Sequence, residues 1–165
     1  MAERKILLYP DPRLKQVARP AEPGEDLERI KQDLLDTMRG QPRCVGLAAP
    51  QIGEMVRVAV VDCSNHKKCL DDNNGLMMLV NPRIISMDGS EVGREGCLSI
   101  PHLTANVRRA TTVVVEWDGG RAECHGFEAR CVLHEIDHLD GVLFLDRVES
   151  LTDDVFRRKN YGEKK

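Results

Sequence analysis

The sequence has no excess of basic residues. Its 24 lysines and arginines stand against 27 acidic side chains among 165 residues, for a net charge of −3. General nucleic-acid binders carry a strong positive balance, so the charge argues against DNA as a partner. Long hydrophobic runs are missing too. No stretch approaches the ~20 apolar residues needed to span a bilayer, and Ile6-Leu7-Leu8-Tyr9 meets Pro10 before reaching signal-peptide length. The chain is therefore read as cytoplasmic, with no membrane partner. Cys-x-x-Cys pairs are absent. The six cysteines, at 44, 63, 69, 97, 124 and 131, signal neither a secreted disulfide scaffold nor a zinc ribbon nor a thioredoxin-like site. No Gly-x-Gly-x-x-Gly opens a helix after a strand, which argues against a dinucleotide fold. Internal repeats, low-complexity segments and linkers are also lacking. At 41% hydrophobic, the chain suffices for one domain with a substantial core, and not for two.

Pro10, Pro12, Pro20 and Pro23 keep the first 24 residues extended, with at most a turn around 13–18. Leu27, Ile30, Leu34 and Met38 then recur at helical spacing, with acidic residues in the first turn and Gly40 beyond the last. A helix is expected over about 25–39. Val56-Arg57-Val58-Ala59-Val60-Val61 reads as a buried strand from its β-branched content. Residues 63–75 form a polar loop. Further strands are expected at 77–80 and 83–86, divided by Asn81-Pro82, and at 96–99, 106–108, 111–117 and 122–125. The last two meet at Asp118-Gly119-Gly120. Gly126 opens a second helix over about 127–139, and a short terminal helix is expected at 152–159. This order, without regular βαβ alternation, implies an α+β fold. It is expected to be a single compact domain, 1–165, of mixed, mostly antiparallel strands packed around a central metal-binding helix.

That second helix carries His134-Glu135-Ile136-Asp137-His138. Residues four apart share a helical face, so both imidazoles can reach one cation, with Glu135 beside them to take a proton. A hydrolytic centre needs a third protein ligand and an open position. The metzincin continuation holds through Gly141 and fails at Phe144, where histidine is required. Glu149 and Glu163 are the glutamates after the helix. Cys131 lies on the helical face, yet seven residues, about 10 Å along the axis, separate it from His138. Cys97 comes from a separate strand and can approach across the helix, but spacing does not choose it over Cys63 or Cys124. Asp137 suits either a hydrogen bond to a ligand histidine or a salt bridge. Glu95 suits a structural pairing with Arg108 or Arg109. His66, His102 and His125 lie outside any ligand spacing. Phe127 and Cys131, one to two turns before His134, can wall a pocket with Val45 for a methionine side chain, or simply fill the core. An endopeptidase with another third ligand, and a metal-stabilised binding domain without turnover, are the competing readings.

Three ordered segments resemble the peptide deformylase family: Gly46-Leu47-Ala48-Ala49-Pro50-Gln51, Glu95-Gly96-Cys97-Leu98-Ser99 and His134-Glu135-Ile136-Asp137-His138. Asp11-Pro12-Arg13-Leu14 and Val80-Asn81-Pro82 extend the resemblance over nearly the whole chain. It implies removal of the formyl group from N-formylmethionine on peptides or nascent chains, releasing formate. It implies Cys97, His134 and His138 as ligands of one divalent ion, Fe2+ in the cell, with Zn2+, Ni2+ or Co2+ as substitutes. Glu135 is implied as general acid/base, with the Gln51 amide and Leu98 N–H as oxyanion donors. Val45, Gly46, Glu95, Phe127 and Cys131 are implied as substrate contacts. The chemistry agrees, since amide hydrolysis at neutral pH needs a nucleophile stronger than free water, and a divalent ion lowers a bound water's pKa toward ~7. A thiolate beside ferrous iron also implies oxygen sensitivity. The run Arg157-Arg158-Lys159 is read as a solvated face, with a ribosomal contact near the nascent-chain exit as the alternative.

Three positions depart from the family's pattern. Cys44 stands where the first motif carries glycine, Arg130 where relatives favour an apolar residue near the methionine pocket, and Thr104 where bacterial relatives often carry arginine. A glycine at 44 would permit positive φ and close approach. Arg130 is expected to point outward or to polarise the pocket rim. Metal chemistry is expected to survive these changes, and substrate preference to shift.

Overall fold

The computed structural model describes residues 3–158. It is an α+β fold of three small sheets, each with three antiparallel strands. In the first, β2 (Val58–Asp62) lies between β1 (Gly46–Ala48) and β3 (Leu76–Val80). The second orders β4 (Arg83–Asp88), β7 (Thr112–Trp117) and β8 (Gly120–His125) side by side. In the third, β6 (Ile100–Arg109) is central between β5 (Glu91–Cys97) and β9 (Val155–Arg157).

The two helices differ in how they are buried, and the difference follows from their sequences. In α1 (Glu25–Arg39) an apolar stripe of Leu27, Ile30, Leu34 and Met38 is buried, and the helix packs on β1 and β2. An amphipathic surface helix has this form. In α2 (Gly126–Leu139), every residue from Glu128 to Leu139 is buried, with β1 and β2 packed against it and β7 and β8 also in contact. A helix enclosed in this way must pair its charged groups inside the protein. Glu128, for example, accepts from the Asn74 backbone N–H and side-chain amide, both at 2.8 Å.

Gly141 ends α2 with φ 75, and a Cβ there would come 2.6 Å from the Lys15 carbonyl oxygen. Glycine is required by both the backbone and the space. The exit of the metal helix is thereby pressed against the N-terminal arm, whose Ala18 N–H bonds the Leu139 carbonyl at 2.9 Å.

The third sheet is more extensive than the sequence suggests. β5 and β6 form one long hairpin, where separate short strands at 96–99 and 106–108 were expected. Pro101 and the polar positions between hide an alternation in which Ala105, Val107 and Arg109 face inward. The terminal helix expected at 152–159 is replaced, over its described part, by a turn and β9; Lys159 lies outside the described residues. Val155 and Phe156 pair with Ala105 and Thr104, so the free edge of β6 recruits this segment as a strand. Among the described residues, no helix is long and apolar enough to cross a membrane.

Candidate metal centre

α2 presents His134 and His138 four residues apart, with ring centroids 5.0 Å from each other. The β5–β6 hairpin supplies the third donor. Its register shifts between Gly96 and Cys97, where the strand ends, and Cys97 Sγ lies 3.4 Å from His138 Nε2. Donor atoms of Cys97, His134 and His138 all fall within 4.8 Å of one another, and all three residues are buried. The alternatives that spacing leaves open are placed elsewhere. Cys63 and Cys124 join Cys131 in a different apolar cluster, and Glu149 accepts from Arg108 at 2.9 Å.

Beneath the histidines runs a chain of buried charges. Glu95, two residues before Cys97, accepts from His134 Nδ1 at 2.9 Å, from Arg109 at 2.7 and 3.0 Å, and from Arg130 at 2.9 Å. Arg109 continues to Asp137 at 2.6 Å, where Arg147 also donates. Burial alone would raise the Glu95 pKa, but hydrogen bonds from Arg109 and His134 hold the carboxyl well below the usual range. An ionised Glu95 fixes the proton of His134 on Nδ1 and leaves Nε2 for the centre. Burial disfavours charge on both histidines. At His134 the neighbouring Cys97 and Glu95 reverse this and raise the pKa, whereas His138 is lowered, helped by the charges of His134 and Arg109.

These contacts resolve several expectations. Glu95 pairs with Arg109, while Arg108 turns to Glu149. It lines the cavity, yet both its oxygens are engaged by protein donors, so the side chain serves His134 rather than standing free for substrate. Asp137 binds two arginines and neither ligand histidine. Arg130 turns inward, donating to Glu95, to the Val107 carbonyl and to the Glu91 carbonyl. His66 stacks on Phe127 at 4.1 Å, and His125 faces Asp72 and Glu123.

Glu135 stands beside the donor atoms, and burial pushes its pKa up to about 7. Its Oε1 is buried without a hydrogen-bond partner among the described residues. Its Oε2 lies against Gly46, where a Cβ would come within 2.7 Å. Here glycine serves close approach, since Gly46 has no positive φ. Gln51 projects from a 3-10 turn, Ala49–Ile52. Its Oε1 accepts the Ala48 N–H at 3.0 Å, while Nε2 donates to Ser99 Oγ at 3.1 Å and to Cys97 Sγ at 3.4 Å. Leu98 occupies the turn between β5 and β6 and lines the cavity.

The N-terminal arm ties these pieces together. Leu7 N–H donates to the Gln51 carbonyl at 2.7 Å, and Tyr9 N–H to the Ser99 carbonyl at 2.8 Å. Sequence reasoning read the arm's prolines only as helix breakers and missed this clamp, for which the extended backbone was the one available signal.

A cavity of about 1010 Å³ opens onto the centre, with Val45, Phe127 and Cys131 on its walls. Cys44 also lines it. Its thiol donates to the Gly46 carbonyl at 3.2 Å, and burial pushes its pKa up to about 12, so it is a neutral group. The positive φ that a glycine at 44 would permit is found instead at Arg43, with φ 62.

One sulfur and two imidazoles, beside a buried carboxylate oxygen with no partner, fit a divalent ion of nitrogen and sulfur preference. Comparison with known proteins points the same way. Residues 3–154 match the family model described as polypeptide deformylase. The peptide deformylase of Alkalilimnicola ehrlichii is 41% identical, with 96% of this chain and 89% of that protein covered. The crystal structure of a peptide deformylase from Legionella pneumophila superposes with a TM-score of 0.78 at 41% identity, covering 91% of this chain and 88% of that one. A Met-Ala-Ser-bound peptide deformylase from Acinetobacter baumannii gives 0.79 at 31% identity, over 89% and 99%.

Proposed function

Because the chain belongs to the polypeptide deformylase family, we propose that it removes the formyl group from N-formylmethionine at the start of new polypeptides, releasing formate. The observation that carries this reading is the buried Cys97, His134 and His138 donor set beside the partnerless Oε1 of Glu135. When bound, a divalent ion supplies Lewis acidity that activates water and polarises the formyl carbonyl. Cys97, His134 and His138 would hold it, and the thiolate suits Fe2+, with Zn2+, Ni2+ or Co2+ able to replace it.

The remaining work falls to the chain. Glu135 takes a proton at its carboxylate and returns it to the departing amine, roles that a pKa of about 7 serves in both directions. Negative charge growing on the formyl oxygen meets Gln51 Nε2 and the Leu98 N–H. A preorganised donor of this kind contributes about 3 kcal/mol to barrier lowering. Gln51 is suited to the role because Ala48 and Ser99 hold its amide before substrate arrives. Val45, Phe127 and Cys131 receive the methionine side chain. The Met-Ala-Ser-bound relative supports a formylated peptide or nascent chain as the partner.

Formate release from formyl-Met-Ala-Ser, measured with and without a chelator, tests the reading. Release that stops on chelation and returns with Fe2+ or Ni2+ is expected. Release unaffected by complete metal removal contradicts it.

A further inference from the structure

The cavity has an unevenly charged mouth. Arg43, Arg94, Arg157 and Arg158 line it, and none forms an ion pair with a carboxylate among the described residues. Elsewhere arginines are matched to acids, as in Arg57–Asp140 at 2.7 Å, Arg108–Glu149 at 2.9 Å and Arg147–Asp137 at 2.6 Å. The two carboxylates on the cavity wall do not balance the mouth. Glu95 is engaged by Arg109, Arg130 and His134, and Glu135 belongs to the centre. A chain of net charge −3 thus surrounds its reactive cleft with positive charge, which focuses the field on anionic groups.

This charge is built on one face of the third sheet. Gly96 pairs with Thr104, and Thr104 with Phe156. By strand alternation Arg94, Gly96, Thr104, Phe156 and Arg158 therefore share a face. The Arg94 guanidinium lies 3.8 Å above the Phe156 ring and donates to Asn106 Oδ1 at 3.2 Å and Thr104 Oγ1 at 3.4 Å. Arg158 lies over Gly96, where a Cβ would collide with its guanidinium, and its backbone N–H bonds the His102 carbonyl at 2.8 Å. A stacked arginine keeps in-plane donors for a carboxylate and loses little freedom on binding one. At ~3.3 Å per strand residue, these groups begin one position from Cys97 and extend about 10 Å from it. An extended peptide with its first residue at the centre and its chain along this face passes over them with the next residues.

We propose that this face is a specificity site for acidic side chains, so that the enzyme favours N-formylmethionyl peptides with Asp or Glu immediately after methionine. The inference rests on the deformylase reading and adds the substrate class. A peptide is favoured over nucleic-acid phosphate because the arginines line the cleft that contains Glu135.

The test compares formyl-Met-Asp-Asp-amide with formyl-Met-Asn-Asn-amide, the amide removing the terminal carboxylate as a second source of charge. In the metal-loaded wild type, kcat/KM for the acidic peptide is expected to exceed the neutral one by about five- to ten-fold at low salt, chiefly through KM. The ratio shrinks at high salt. It falls toward one in Arg94→Gln and Arg158→Gln and is retained in Arg94→Lys. A wild-type ratio at or below one, as a surface serving nucleic acid would give, overturns the proposal. So does a ratio undiminished in both glutamine variants. No formate from either peptide contradicts the deformylase reading instead. The proposal is then decided by calorimetric Kd values for Met-Asp-Asp-amide and Met-Asn-Asn-amide, tighter for the acidic peptide if the site exists and equal if it does not.

Discussion

Glu95 and His134 are joined by a 2.9 Å hydrogen bond from the imidazole Nδ1–H to a carboxylate oxygen. Both side chains are buried, at 4% and 10% exposure. The bond sets which nitrogen of His134 faces Cys97, so a residue that touches no substrate decides whether the donor set forms.

Replacing Glu95 by Gln keeps the shape and removes the charge. Metal affinity or activity is expected to fall about 10- to 100-fold, as for other partners that orient a ligand histidine. Stability is expected to drop by about 3 kcal/mol, since Arg109 and Arg130 lose a buried counter-charge. Equilibrium denaturation and metal titration of the two proteins check both effects.

Acid stability depends on the same carboxyl. Its folded pKa is depressed by Arg109 and His134 against the opposing pull of burial. The stabilisation is therefore complete above the unfolded value of about 4.3 and is lost as pH falls toward the lower folded value. With chelator present in both proteins, the wild-type unfolding midpoint should fall more steeply below about pH 4 than that of Glu95→Gln. Parallel curves contradict this assignment.

Gly46 and Glu135 are in close approach. A Cβ at 46 would press on Glu135 Oε2 at 2.7 Å, so Gly46→Ala is expected to displace the carboxylate. A loss in kcat of at least about ten-fold is expected, as befits a displaced general acid/base. The unfolding midpoint should change little by comparison. Steady-state kinetics and thermal denaturation on the same preparation separate the two.

Much of this arrangement was legible in the sequence where periodicity is strong. Leu27, Ile30, Leu34 and Met38 marked α1, and His134-Glu135-x-x-His138 marked both the second helix and its chemistry. The third donor was not legible from spacing, because Cys97, Cys63 and Cys124 all lie on separate segments and only strand pairing separates them. The resemblance to a family chose Cys97, and the β5–β6 hairpin supplies the geometry. Arg130 reads as a departure at a position expected to be apolar, yet it completes the charge balance of Glu95. Such networks join residues far apart in sequence and leave no periodic trace. β9 was misread for a related reason, since an unpaired edge on β6, not local propensity, draws Val155 and Phe156 into a strand.

Metal content per chain after replacing single cysteines tests the centre most directly. Wild type and Cys63→Ala should each bind one equivalent of Ni2+ or Zn2+ by elemental analysis, while Cys97→Ala should bind far less under the same dialysis. A Cys97→Ala protein that keeps a full equivalent, while Cys63→Ala loses it, would contradict the account.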